Sequence, residues 1–132
     1  MGPGRPEAGA PGGRRLPRSA RVRLRRDIQN LLRRGKRTRT RHLDVFVIAS
    51  PVSRPRFGTV VPKHRHRIVE RNRLRRRLRE VGRTRVLPRL WEAGRDLDVL
   101  VRARREAYEA SYQELEADLK TLTETLCSSG SS

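Results

Sequence analysis

The chain is poor in most of what marks a secreted scaffold, a membrane protein or a self-sufficient enzyme. Its one cysteine, Cys127, excludes an internal disulfide and any cysteine-based zinc finger. No stretch approaches the ~20 apolar residues needed to cross a bilayer, and the basic N-terminus lacks the apolar core of a secretory signal. The expected location is therefore the cytoplasm. There is no glycine-rich phosphate loop and no Ser/His/Asp set. Lysine is nearly missing too. Of 33 basic residues only Lys36, Lys63 and Lys120 are lysines, which leaves 30 arginines against 14 acidic residues and a net charge of +19.

A surplus of this size repels itself in a compact fold and calls for an anionic partner. Arginine presents a planar fork that matches phosphate oxygens bidentately and stacks on bases. Nucleic acid is thus the first candidate partner. A membrane surface is the second, but it would need a broad apolar helix face.

With 132 residues the chain holds one small domain. Residues 1–19 contain five of the ten glycines and four of the eight prolines, and read as a disordered basic arm. Residues 20–127 are expected to form the domain, and residues 128–132 a tail. A first helix is predicted from Val22 to Arg34, where Leu24, Ile28, Leu31 and Leu32 recur at helical spacing and Gly35 supplies a C-cap. Leu43 to Ser50 and Phe57 to Val61 read as strands, with turn chemistry between them. A long helix follows from Ile68 to Leu87, closed by Pro88, and then a strand from Asp96 to Arg102. A last helix begins at a capping box formed by Ser111 and Glu114 and carries Leu115, Leu119, Leu122 and Leu126 on one stripe. Strands and helices interleave around one core, the pattern of an α+β domain.

The informative segment is RNRLRRRLRE, Arg71 to Glu80. At helical spacing Leu74, Leu78 and Val81 fall within about 60° of arc and must face the core. Asn72, Arg75, Arg76, Arg79 and Arg83 fall opposite, flanked by Arg73 and Arg77. The like-charge pairs Arg71–Arg75, Arg73–Arg77 and Arg75–Arg79 each cost roughly 0.2–0.5 kcal/mol. A helix needing only solubility would alternate signs. This face is therefore built for phosphate. The apolar stripe is too narrow for a helix lying on a membrane.

Arg71, Asn72, Arg73, Leu74, Arg75, Arg76, Leu78 and Arg79 match, position by position, the signature of the bacterial ribonuclease P protein family, which the chain resembles from Leu24 to Leu126. The order of elements around the signature is similar to the family as well. The chain departs from it in the loop before the signature, where His66 and Ile68 replace a glycine and an alanine, and in the first helix, where Ile28 and Leu32 replace phenylalanines.

The resemblance implies a small domain of order α-β-β-β-α-β-α, with an extra short strand near Thr38 to Arg41. It implies a mixed four-stranded sheet packed by helices, with a left-handed β-α-β crossover. It further implies a protein subunit of ribonuclease P, in which the RNA subunit carries the metal-assisted hydrolysis and Mg²⁺ acts with that RNA. The partners implied are ribonuclease P RNA and precursor tRNA, with no small-molecule cofactor. The RNA-binding residues would be Lys63, Arg71, Asn72, Arg73, Arg75, Arg76, Arg79 and Arg83. The 5′ leader would lie in a cleft at Ile28, Leu32 and Phe46, with Phe46 stacking on leader bases or serving as core.

No catalytic residue and no metal ligand is expected in the protein itself. His64 and His66 flank Arg65 without a third ligand and read as loop residues that touch RNA. Asp96 and Asp98 share a strand face and read as polar positions at a strand start. The alternative is a ribosomal or other structural RNA-binding protein with no part in catalysis.

Overall fold

The most apolar stretches of the chain become the middle of one sheet. In the computed structural model, which describes residues 16–128, β2 (Leu43–Ala49) and β4 (Leu97–Ala103) run antiparallel, with Leu43 opposite Ala103 and Ala49 opposite Leu97. β1 (Lys36–Arg39) pairs antiparallel with the other side of β2, and β3 (Arg56–Val60) pairs parallel with β4. The order across the sheet is β1-β2-β4-β3.

Alternation sends successive side chains of each strand to opposite faces. Val45, Val99 and Val101 meet Leu74, Leu78, Leu115 and Leu119 on one face, the larger core. Phe46 and Leu100 meet Val22 and Leu31 on the other. α1 (Arg25–Arg34) therefore covers one face, while α2 (Ile68–Val81), α3 (Leu87–Glu92) and α4 (Tyr112–Ser128) cover the other. The expected α+β order holds, with α2 and α3 in the place of one long helix.

Three boundaries differ from the sequence reading. The arm was expected to extend to residue 19, yet Leu16 is 5% exposed and belongs to the core. Residues 1–15 lie outside the described residues. The first helix starts at Arg25 rather than Val22. Arg21 forms a parallel bridge with Phe57, and the Val22 N–H donates to the Phe57 carbonyl at 3.0 Å. The open edge of β3 offers backbone groups that must be paired, and that demand outweighs helix periodicity here. Leu24, placed on the apolar stripe, is instead the N-cap and 44% exposed. Gly35 does follow the helix, with its N–H on the Leu31 carbonyl at 2.8 Å. At the far end Ser128 closes α4, and residues 129–132 lie outside the described residues.

Pro88 does not close the long helix. Residues Gly82–Val86 form a π turn, in which the Leu87 N–H bonds the Gly82 carbonyl, and Pro88 then sits in the first turn of α3. A proline lacks an N–H and clashes with the carbonyl four residues back. The wider turn removes that clash, and the first turn of a helix tolerates the missing donor. Gly82 also lets the turn rest on Phe57, since a Cβ there would lie 2.4 Å from the ring.

α1 is bolted to its face of the sheet through charge. Arg56, buried in β3, donates to both oxygens of buried Asp98 at 2.9 and 2.7 Å and reaches Asp27 of α1 at 3.6 Å. The Asp98 carboxylate, the largest influence, holds the Arg56 guanidinium above its ordinary pKa. Asp98 is thus committed to Arg56, and Asp96 lies just outside β4. The capping box of α4 is formed as expected: Ser111 N–H donates to Glu114 at 2.8 Å, and Glu114 N–H to Ser111 Oγ at 3.1 Å.

Candidate nucleic-acid interface

The arginine helix has the polarity its spacing demands. Leu74, Leu78 and Val81 are 3%, 0% and 0% exposed, and Asn72, Arg73, Arg76 and Arg79 stand in solvent. The other arginines are half-buried and bonded. Arg71 donates to the Val61 carbonyl and Arg77 to the Ala110 carbonyl. Arg75 donates to Asn72 Oδ1 at 2.7 Å, and Arg83 to Glu80 at 3.2 Å. The structure therefore separates two roles that the motif mixes. Arg71 and Arg77 tie the helix to neighbouring segments, while Arg73, Arg76 and Arg79 present charge outward. Glu70 accepts from the Arg67 N–H at 2.9 Å, and this bond holds its carboxyl below the usual range at the positive end of the helix.

Lys63 is exposed in the loop that leads into α2. Two non-glycine residues beside it have left-handed backbones, His64 at φ 43° and Arg65 at φ 68°. Such residues cost of order 1–3 kcal/mol each and cluster at functional segments. His66, which stands where the family has glycine, does not have a left-handed backbone. Its ring stacks on Tyr108 with centroids 3.7 Å apart, and Tyr108 OH donates to the Pro62 carbonyl at 2.7 Å. Tyr108 is the anchor of this loop, and no pattern in the sequence pointed to it.

On the α1 face, Ile28 and Leu32 are half-buried beside Phe46, so the three expected cleft residues do come together. The stacking role of Phe46 does not fit this arrangement. The ring is 4% exposed, with the Arg102 and Arg37 guanidinium carbons 5.2 and 5.9 Å from its centroid. A base approaching here meets arginine and aliphatic edges before it meets the ring. Asp44, which looked unremarkable in the sequence, is a buried hub for Arg39 at 3.0 Å, Arg37 at 3.3 Å and Arg102 at 3.5 Å. Burial pushes its carboxyl up, but hydrogen bonds from Arg39 and Arg37 bring it below the ordinary value. Asp44 also lines a recess of about 460 Å³, together with His64, Arg102, Arg104, Arg105 and Glu106. Among the described residues, no group of three or more His, Cys, Asp or Glu side chains is placed to hold a metal ion. No described helix is long and apolar enough to cross a membrane.

A small α+β domain with an arginine helix on one flank and a cationic, half-apolar cleft on the other defines a class of basic proteins made to lie against a polyanion. Comparison with known proteins makes the class specific. Residues 16–127 match the family model for ribonuclease P. The chain is 37% identical over 123 residues to the ribonuclease P protein component of Acidothermus cellulolyticus, covering 89% of this chain and 99% of that protein. It is 40% identical over 109 residues to the same component of Micrococcus luteus, covering 74% and 80%. A match to the Thermus scotoductus component, 43% identical over 88 residues, spans 67% of this chain and 49% of that longer relative. Among solved structures, the RNase P protein of Thermotoga maritima in complex with 1-(4-fluorophenyl)-2-thiourea superimposes with a TM-score of 0.66, at 25% identity, over 79% of this chain and 97% of that one. The Staphylococcus aureus RNase P protein shares the fold, with a TM-score of 0.66 at 21% identity over 81% and 94%. The chain belongs to the bacterial ribonuclease P protein family.

Proposed function

We propose that the chain works as the protein subunit of a cytoplasmic ribonuclease P, the endoribonuclease that removes the 5′ leader from precursor tRNA. Arg73, Arg76 and Arg79 of α2, with Lys63 in the loop before it, bind the catalytic RNA subunit. Asn72 and Arg75 brace each other, Arg71 helps hold the helix in place, and Arg83 pairs with Glu80 on the same helical run. The leader runs along the α1 face, over Ile28, Leu32 and the Arg37/Arg102 pair above Phe46. The observation that carries this reading is the arginine face of α2, where repulsion is tolerated and no alternating carboxylates relieve it.

Phosphodiester hydrolysis needs an activated water and stabilisation of developing charge, which Mg²⁺ supplies with the RNA subunit in this reading. The described side chains do not fit a Mg²⁺ site. Asp98 is bonded to Arg56, Asp44 to three arginines, and His66 is stacked on Tyr108. The protein contributes electrostatically. It neutralises phosphates of both RNAs, so that they assemble at lower Mg²⁺. Family membership disfavours a ribosomal or purely structural RNA-binding role.

The test is processing of precursor tRNA by a bacterial ribonuclease P RNA at physiological salt and limiting Mg²⁺, with and without this protein. The expected result is cleavage only when RNA and protein are both present. Correct 5′ cleavage by protein alone, lost in an Asp96→Asn/Asp98→Asn variant, would make the chain an enzyme in its own right.

A further inference from the structure

The segment from Leu16 to Val22, which makes one 3-10 turn at Arg18–Ala20 before it runs along β3, does more than cover an edge. It presses onto Gly58 of β3, where a Cβ would lie 2.8 Å from the Val22 carbonyl oxygen and 2.9 Å from Val22 Cβ. Val22 is buried, so alternation turns its neighbours Arg21 and Arg23 outward. Arg21 Nε donates to the Leu16 carbonyl at 2.9 Å, which fixes the guanidinium and, among the described residues, leaves its terminal nitrogens for a ligand. Across β3, Arg79 approaches from α2. These three arginines, with Thr59 and Ile28, line a cavity of about 170 Å³, and no carboxylate among the described residues lines it. Partial burial, then Arg21, then Arg75 hold the Arg79 guanidinium below its ordinary pKa. Three like charges around one recess repel one another, and an anion seated among them relieves that repulsion.

We propose that the cavity framed by Arg21, Arg23 and Arg79 is a phosphate-binding subsite that grips one backbone phosphodiester of bound RNA. It lies at the β3 edge, between the outer face of α2 and the Ile28 end of α1, so it joins the two RNA surfaces into one basic track. This inference rests on the RNA-binding reading above. It adds residues outside the arginine motif and assigns them to a single phosphate shared with Arg79.

The experiment is a double-mutant cycle on Arg21→Gln and Arg79→Gln. Affinity for ribonuclease P RNA is measured across a salt series, with Arg76→Gln as a reference outside the cavity. Two arginines on one phosphate should be non-additive: each single variant flattens the salt slope by about one unit, and the double variant by no more than that. Arg21→Gln with Arg76→Gln should be additive. If Arg76→Gln weakens binding while the cavity variants do nothing, or while their effects simply add, the shared subsite is wrong and RNA binding stands. If none of the three matters, the RNA-binding reading itself fails. Thermal melting monitors folding. Should the Arg21 variant unfold, an Arg23→Gln/Arg79→Gln cycle, which keeps the Leu16 tether, asks the same question. In a further arm, inorganic phosphate is titrated at constant ionic strength. Stabilisation of the wild type that Arg21→Gln abolishes, together with an additive RNA cycle, would reassign the cavity to a free anion and overturn the proposal.

Discussion

Replacing Arg56 with methionine tests the electrostatic bolt between α1 and the sheet. Arg56 and Asp98 are 8% and 2% exposed, and two charge-assisted hydrogen bonds of 2.9 and 2.7 Å join them. Methionine fills much of the space but leaves the Asp98 carboxylate buried without a partner, and Asp27 loses its contact as well. Breaking a buried pair in this way costs ~3–5 kcal/mol, a large share of the ~5–15 kcal/mol that holds a domain together. Urea unfolding followed by circular dichroism measures it. The solvent-facing pair Arg89–Glu124 is an internal control, because Arg89→Ala should cost far less than loss of the buried pair. Adding Asp98→Leu to Arg56→Met should recover most of the loss, since the stranded charge is then gone. If Arg56→Met costs no more than Arg89→Ala, or the double variant is worse than the single one, the buried pair is not what fixes α1.

Arg76→Ala/Arg79→Ala should keep the melting temperature and flatten the salt dependence of RNA binding by roughly one unit per lost phosphate contact, read from titrations at several salt concentrations. Leu119→Ala, at 1% exposure, should cost ~2–5 kcal/mol and Ser111→Ala ~1 kcal/mol in urea unfolding, and equal losses would refute the core assignment. Phe46→Ala should cost ~3–5 kcal/mol and weaken precursor and mature tRNA binding alike, whereas a loss confined to precursor tRNA would restore the stacking role. Asp44 has a folded-state pKa below its unfolded value, so its stabilisation is present above pH ~4 and fades as pH falls through the lower folded value. The stability gap between wild type and Asp44→Asn should therefore shrink on acidification, as measured by unfolding at stepped pH.

Periodicity carried the parts of the fold whose burial is one-sided. The Leu74/Leu78/Val81 stripe and the leucines of α4 fall where their spacing puts them, and the Ser111/Glu114 cap is a purely local pattern. What escaped depends on contacts distant in sequence. Leu24 obeys helical spacing, but the edge of β3, more than thirty residues away, draws Arg21 and Val22 into extended pairing. Asp44 reads as one polar residue in an apolar strand until Arg37, Arg39 and Arg102 arrive from the two neighbouring strands. In the candidate interface the motif supplied the residues but not their division of labour. Only the positions of the Val61 and Ala110 carbonyls show that Arg71 and Arg77 are tethers. Tyr108 and the Arg21/Arg23 cavity left no local signature, because each becomes meaningful only through a partner on another element.

The π turn at Gly82–Val86 makes this stretch sensitive to reading frame in a geometric sense. Deleting one residue there would restore a regular hydrogen-bond ladder and improve the helix as a helix. It would also rotate everything downstream by about 100° relative to α2, carrying Leu87 and Leu90, both fully buried, away from the core. Substitutions at the turn's outward positions, such as Arg85, can be absorbed side chain by side chain. A change of length cannot, so the five-residue turn acts as a phase marker that keeps the arginine face and the buried face of one helical run pointing in opposite directions.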